Sequence, residues 1–157
     1  MKILIAEDDD LSRLILHQIL GHFGPCDTTV DGAEAVEAFE LAWQDDAPYD
    51  LVCLDIMMPR MDGQEALKHI RRLENRLGIR GGREVKILML TALDDPRSVI
   101  EAFYRGGATS YLVKPVDLDR LLGELRLMGL VTTAQIVNIA HKEHGSHAKE
   151  NPGLDCR

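Results

Sequence analysis

Residues suited to metal and phosphate chemistry stand at the ends of short apolar runs. Glu7 and Asp8 follow Ile3-Leu4-Ile5-Ala6, Asp55 follows Leu51-Val52-Cys53-Leu54, Thr91 follows Ile87-Leu88-Met89-Leu90, and Lys114 follows Tyr111-Leu112-Val113. Three carboxylates brought together repel one another unless a hard cation or a cationic side chain neutralises them. Mg²⁺ suits such a set, because it takes about six oxygen ligands and leaves positions for waters, a backbone carbonyl and a phosphate oxygen. Lys114 adds a compact positive charge that can pair with Asp55 and later with a phosphoryl oxygen, and the Thr91 hydroxyl can donate to another. The acidic run Glu7 to Asp10 also suits a helix N-terminus, where the macrodipole favours carboxylates. Asp55, Thr91 and Lys114 in register with it tip the reading toward a metal and phosphate site.

The elements that must bring these residues together are legible from periodicity. The continuous apolar runs suit strands buried on both faces, which implies a parallel sheet. Weaker candidates at Cys26 to Val30 and Ser110 to Val113 bring the expected strands to five. Between them lie apolar stripes of helical spacing: Leu11, Leu14, Ile15, Ile19; Val36, Phe39, Trp43; Ala66, Leu67, Ile70, Leu73; Val99, Ala102, Phe103; and Leu118, Leu121, Leu122, Leu125. Asp31 with Glu34 and Asp62 with Glu65 have capping-box spacing, and Asp95 precedes Pro96 at a first helical position. Strand and helix alternate about five times, the pattern of a doubly wound α/β domain whose crevice lies at the carboxyl ends of the strands.

Composition bounds the class. The chain has 157 residues, 26 acidic and 18 basic, a net charge of -8, and 45% apolar residues. That is one domain, long enough for a single core. No apolar run approaches the ~20 residues of a membrane-spanning helix, and Glu7 to Asp10 end the N-terminal apolar stretch too early for a signal peptide. A cytoplasmic protein is expected. Cys26, Cys53 and Cys156 are irregularly spaced and read as reduced thiols. The acidic balance argues against direct DNA binding; Arg71, Arg72, Arg76, Arg80 and Arg83 form the one basic concentration, read mainly as solvated surface. Asn75 to Glu84 reads as an exposed loop, and Gly129 as the stop of the last core helix. Thr132 and Gln135 predict a short extra helix to about His144, with disorder from Gly145 onward. His141, His144 and His147 do not share one helical face and predict no metal site.

Taken in order, Ile3-Leu4-Ile5-Ala6-Glu7-Asp8, Leu54-Asp55-Ile56-Met57-Met58-Pro59-Arg60-Met61-Asp62-Gly63, Leu90-Thr91-Ala92 and Tyr111-Leu112-Val113-Lys114-Pro115 strongly resemble the receiver domain of two-component response regulators. The resemblance covers about residues 1–130 and leaves 131–157 as a tail. It implies a flavodoxin-like α/β fold with five parallel strands in the order 2-1-3-4-5 and helices on both faces. It implies that Asp55 is the phosphoacceptor and that Glu7, Asp8, Asp55 and the backbone carbonyl of Met57 hold Mg²⁺, with Mn²⁺ as a substitute. Thr91, Lys114 and Tyr111 would stabilise the phosphoryl group and switch, and a cis peptide is expected at Lys114-Pro115. The implied partners are a sensor histidine kinase or histidine phosphotransfer protein and a downstream protein target, with a homodimer compatible.

The expected function is therefore a stand-alone response regulator that catalyses only its own phosphorylation and dephosphorylation. The alternative is a phosphorylation-independent binding module on the same fold. A phosphohydrolase is disfavoured, because Met57 stands where an acid/base Asp would be needed. Glu7 replaces the commoner Asp of the acidic pair with a longer arm. The apolar Met57 and Leu93 stand where many relatives place polar residues able to orient a hydrolytic water, which predicts slow self-dephosphorylation.

Overall fold

Alternate residues of the apolar runs feed two separate cores, which is why those runs are apolar throughout. Leu4, Ala6, Val52, Leu54, Ile87 and Met89 point to one side; Ile3, Ile5, Leu51, Cys53, Leu88 and Leu90 point to the other. A strand's period-two alternation requires this when both sheet faces are covered. A computed structural model describes residues 1–92, 96–101 and 105–145. Its elements are β1 (Ile3–Ala6), α1 (Asp10–Leu20), β2 (Cys26–Thr29), α2 (Gly32–Gln44), β3 (Leu51–Asp55), α3 (Gly63–Arg76), β4 (Lys86–Thr91), α4 (Pro96–Glu101), β5 (Ser110–Val113), α5 (Leu118–Leu127) and α6 (Thr133–Gly145).

All pairings are parallel, in the order β2-β1-β3-β4-β5. The order reverses between β1 and β3, so the crevice of this α/β sheet opens where Glu7 and Asp55 leave their strands. Helices α2 and α3 cover the first core through Phe39, Leu67 and Ile70, and α1 and α5 cover the second through Leu16, Leu20, Leu121 and Leu125. No helix among the described residues is long and apolar enough to cross a membrane.

Capping follows the local chemistry. Asp31 and Asp62 accept from the backbone N–H of Glu34 and Glu65, and Asp117 does the same for Arg120. Gly129, with φ of 75°, stands just past the end of α5. At α6, Thr132 and Gln135 bond reciprocally, and Val131 and Ile139 are buried.

Two sequence expectations require correction. Of the α1 stripe Leu11, Leu14, Ile15 and Ile19, only Ile19 packs against the core, while Leu11 is 65% and Leu14 53% exposed; Leu16 and Leu20 are the buried pair. A helix apolar on most sides offers more than one stripe, and the sheet selects one. The segment from Asn75 to Glu84 is also not one open loop. Asn75 and Arg76 finish α3, Ile79 is buried, and Gly81–Arg83 forms a 3-10 turn. The cap at Asp95, the side chains of Val99, Ala102 and Phe103, Leu93, Cys156 and residues 146–157 lie outside the described residues or side chains.

Candidate functional site

The acidic run after β1 divides its labour residue by residue. Glu7 is fully buried and turns inward. Asp8 is exposed at the mouth. Asp9 caps α1, its carboxylate accepting from Ser12 N–H at 2.7 Å, and its own N–H donates to Glu7 Oε1 at 3.1 Å. Asp10 pairs with Arg13 one turn on. Helix capping and a carboxylate site thus coexist, on neighbouring residues.

Asp55, the last residue of β3, is buried beside Glu7, and Lys114 just past β5 reaches both. Lys114 Nζ lies 2.6 Å from Glu7 Oε2 and 3.1 Å from Asp55 Oδ2. The backbone of Lys114 is held there by its N–H, which donates to Thr91 O at 2.7 Å; the Lys114-Pro115 peptide bond is cis. Thr91 is buried at the end of β4, its hydroxyl donating to Ala92 O at 3.3 Å. One cation against two buried carboxylates leaves the site over-supplied with negative charge. Burial first, and then the Glu7 charge, push the Asp55 carboxyl up to about 7 against the opposing pull of Lys114. Burial works against the Lys114 ammonium, yet Glu7 and Asp55 outweigh it and hold its pKa above the usual lysine value.

The loop after β3 is held by close backbone contact. A Cβ on Gly63 would stand 2.1 Å from the Asp55 carbonyl oxygen, so only glycine lets α3 start against the site. Gly63 N–H donates to Ile56 O at 2.9 Å. Arg60 sits at φ 64°, a left-handed conformation costly for a side chain. Its guanidinium is anchored to the Asp31 carboxylate and to Glu34 Oε1 at 3.1 Å, tying the loop to the start of α2. Burial pushes the Asp31 carboxyl up, but the Glu34 N–H and Arg60 outweigh it and hold it below its ordinary value. Met57 on the same loop is 70% exposed and Tyr111 on β5 is 40% exposed.

Sequence reasoning missed two arginines. Arg60 was an anonymous loop residue, and Arg71 was grouped with the solvated cations. Arg71 is instead mostly buried, donating to Glu74 Oε2 at 2.6 Å, Val85 O at 3.0 Å and Gly107 O at 2.9 Å. The available signal was Glu74, which interrupts the buried stripe of α3 four residues after Ile70 and three after Arg71.

The donors fit a hard cation. One carboxylate oxygen from each of Glu7, Asp8 and Asp55 lies within 4.8 Å of the others. Glu7 Oε2 is buried and receives only the ion-pair contact of Lys114, without an aligned hydrogen bond. An all-oxygen set with a solvent-facing member suits Mg²⁺, which retains waters.

Comparison with known proteins agrees with this geometry. The family model for the response regulator receiver domain matches residues 3–126. Chemotaxis protein CheY of Bacillus subtilis (strain 168) is 34% identical over 123 residues, covering 77% of this chain and 91% of the relative. Transcriptional regulatory protein TcrA of Mycobacterium tuberculosis is 36% identical over 129 residues, 82% of this chain and 46% of TcrA. Sensory/regulatory protein RpfC of Xanthomonas campestris pv. campestris is 31% identical over 150 residues, 92% of this chain and 19% of RpfC. The chain thus spans most of CheY but less than half of these longer relatives. Among solved structures, the CheX-CheY-BeF3-Mg²⁺ complex from Borrelia burgdorferi matches with a TM-score of 0.67 and 29% identity, covering 84% of this chain and 90% of that one. The receiver domain of sensor histidine kinase PA1611 from Pseudomonas aeruginosa PAO1, with a magnesium ion in its active site cleft, matches with a TM-score of 0.65 and 28% identity, covering 82% and 97%. The sheet order, the acidic pocket and the family match over most of its length agree that the chain belongs to the response regulator receiver domain family of two-component signalling.

Proposed function

We propose that this chain is a single-domain response regulator in which Asp55 accepts a phosphoryl group from a histidine kinase or phosphotransfer protein. The observation that carries the reading is the buried Asp55 carboxylate held between Glu7 and Lys114 at the carboxyl edge of the sheet. An ionised carboxylate needs no general base. Asp55 attacks phosphorus in line, the P–N bond of the phosphohistidine breaks, and the freed imidazole nitrogen keeps the electron pair and takes a proton.

Receiver domains bind Mg²⁺ at an acidic site, and here Glu7, Asp8, Asp55 and the Met57 carbonyl would hold it. The ion supplies neutralisation of charge on the transferring phosphoryl oxygens. Lys114 follows a phosphoryl oxygen while remaining beside Glu7, and the Thr91 hydroxyl, now donating weakly to its neighbour's carbonyl, is free to turn to another. Tyr111, half exposed beside β4, then follows Thr91 inward and changes the α4, β5, α5 surface offered to a downstream target. The exposed Ile15 lines, with Ser12, Leu16, Pro115 and Val116, a groove next to Glu7 and Lys114, an apolar landing for the donor's helix. The receiver unit is taken as residues 1–130, and near-complete coverage of CheY supports a stand-alone role.

The test is intact mass during incubation with Mg²⁺ and acetyl phosphate, with Asp55→Asn alongside. One phosphoryl group requiring both Mg²⁺ and Asp55 is expected. Its decay should quicken in Met57→Asn/Leu93→Glu, and a longer lifetime there would sink the slow-hydrolysis reading. No gain, where another receiver is labelled in parallel, would favour a phosphorylation-independent binding module.

A further inference from the structure

The charge of the chain is unevenly placed. Between Gly63 and Gly107 the sequence holds nine basic and six acidic residues, whereas the remainder holds nine basic and twenty acidic. The solvent face of α3 concentrates this excess. His69, Arg72 and Arg76 are exposed at spacings of three and four, on one side of the helix. The guanidinium groups of Arg72 and Arg76 make no hydrogen bond or ion pair with any of the described residues. Like charges four apart on a helix repel, so the pair stands uncompensated.

Two shallow grooves, each of about 460 Å³, meet along this ridge. His69 and Arg76 line one, Arg105 and the Lys68–Glu101 ion pair line the other, and Arg72 and Asn75 border both. The platform beneath is fixed. Leu67, Ile70 and Leu73 are buried, and the Arg71–Glu74 pair bonds the end of α3 to Val85 and Gly107. A partner would therefore meet two arginines carried on a fixed helix, without ordering any backbone.

We propose that the Arg72–Arg76 face of α3 is a docking surface for an acidic polypeptide segment of a partner protein, with carboxylates one helical turn apart. Guanidinium forks pair with carboxylates and phosphates alike, so the surroundings decide between them. From His69 to Arg76 the ridge is only about 10 Å long. Helix α2, packed beside α3, exposes Glu37 and Glu40. A nucleic acid continuing beyond the ridge runs over a remainder of the chain that holds twenty acidic and nine basic residues, which repels an extended polyanion, whereas a short acidic segment ends before it. This surface does not include Asp55 or its neighbours, so docking requires no phosphoryl group.

The test uses the full chain and a fluorescein-labelled oligoglutamate peptide of twelve residues, read by anisotropy at low and physiological salt. A twelve-nucleotide oligothymidylate serves as the competing anion. Arg72→Glu/Arg76→Glu should weaken peptide binding by roughly tenfold or more, and Arg120→Glu/Arg126→Glu, the same charge change on α5, by less than about twofold. Arg72→Lys/Arg76→Lys should fall between them, because the fork is lost but the charge is kept. Thermal unfolding of each variant checks that the fold is intact, and Arg72→Gln/Arg76→Gln replaces the reversal if it is not. Equal weakening by the two charge reversals, oligothymidylate binding as tight as peptide binding, or no peptide binding at low salt would each overturn the proposal.

Discussion

Among the described residues, two fully buried glutamates face cations, and only one of them belongs to the candidate site. Glu74, at the end of α3, has both oxygens filled: Oε2 from Arg71 at 2.6 Å and Oε1 from the Val85 N–H at 2.6 Å. Glu7, at the end of β1, has Oε1 filled by the Asp9 N–H, while Oε2 shares Lys114 with Asp55. The first arrangement is balanced, one carboxylate to one guanidinium, and closes the junction of α3 with β4. The second has more carboxylate than cation and an exposed Asp8 at its mouth. Burial of charge is common to both; what marks the site is the deficit of positive charge, which only a bound cation or a protonated Asp55 can make good.

The largest expected effect tests the closed pair. Glu74→Ala leaves the Arg71 charge and the Val85 N–H without their partner and should cost about 3–5 kcal/mol in urea unfolding. If the loss were below ~1 kcal/mol, the balanced-lock description would be wrong. Lys114→Met should cost less, roughly 2 kcal/mol in the metal-free protein, because the open site lets water and protons compensate. The same variant should show a larger Mg²⁺-induced rise in Tm than the wild type, since a competing cation has gone; an equal or smaller rise would contradict the deficit of charge.

Asp55→Asn should act in the opposite direction and stabilise the metal-free protein. The Asp55 carboxyl stands near 7 in the folded chain and ordinarily near 4 in an unfolded one. Between those values the folded state holds the extra proton, so wild-type stability falls as pH rises from about 4 to about 7 and then levels off. The gain from Asp55→Asn should therefore be close to zero at pH 4 and grow to its full value by about pH 8. A gain that shrank as pH rose would refute this. Smallest is the metal itself: at ten times its Kd, Mg²⁺ should stabilise the wild type by roughly 1.4 kcal/mol, reversed by EDTA and absent in Glu7→Gln/Asp8→Asn.

The sequence alone determined the layers and which polar residues stand at the sheet edge. Strands buried on both faces must be apolar at every position, so β1, β3 and β4 announced themselves, and the residues that break those runs, Glu7, Asp55 and Thr91, mark the sheet edge. Asp31 and Asp62 were legible as caps because capping is local chemistry between residues three apart. Tertiary structure decided what depends on distant neighbours. It selected Leu16 and Leu20 over Leu11, Leu14 and Ile15 as the buried side of α1, since periodicity names the stripes of a helix but not which one meets the sheet. It drew Arg71 out of the cationic run and locked it to Glu74, and it anchored Arg60 to Asp31 across 29 positions. A charge pattern in one dimension cannot show which cations meet a buried acid, because the Coulomb energy that separates a lock from a solvated surface is set by distance and burial in three.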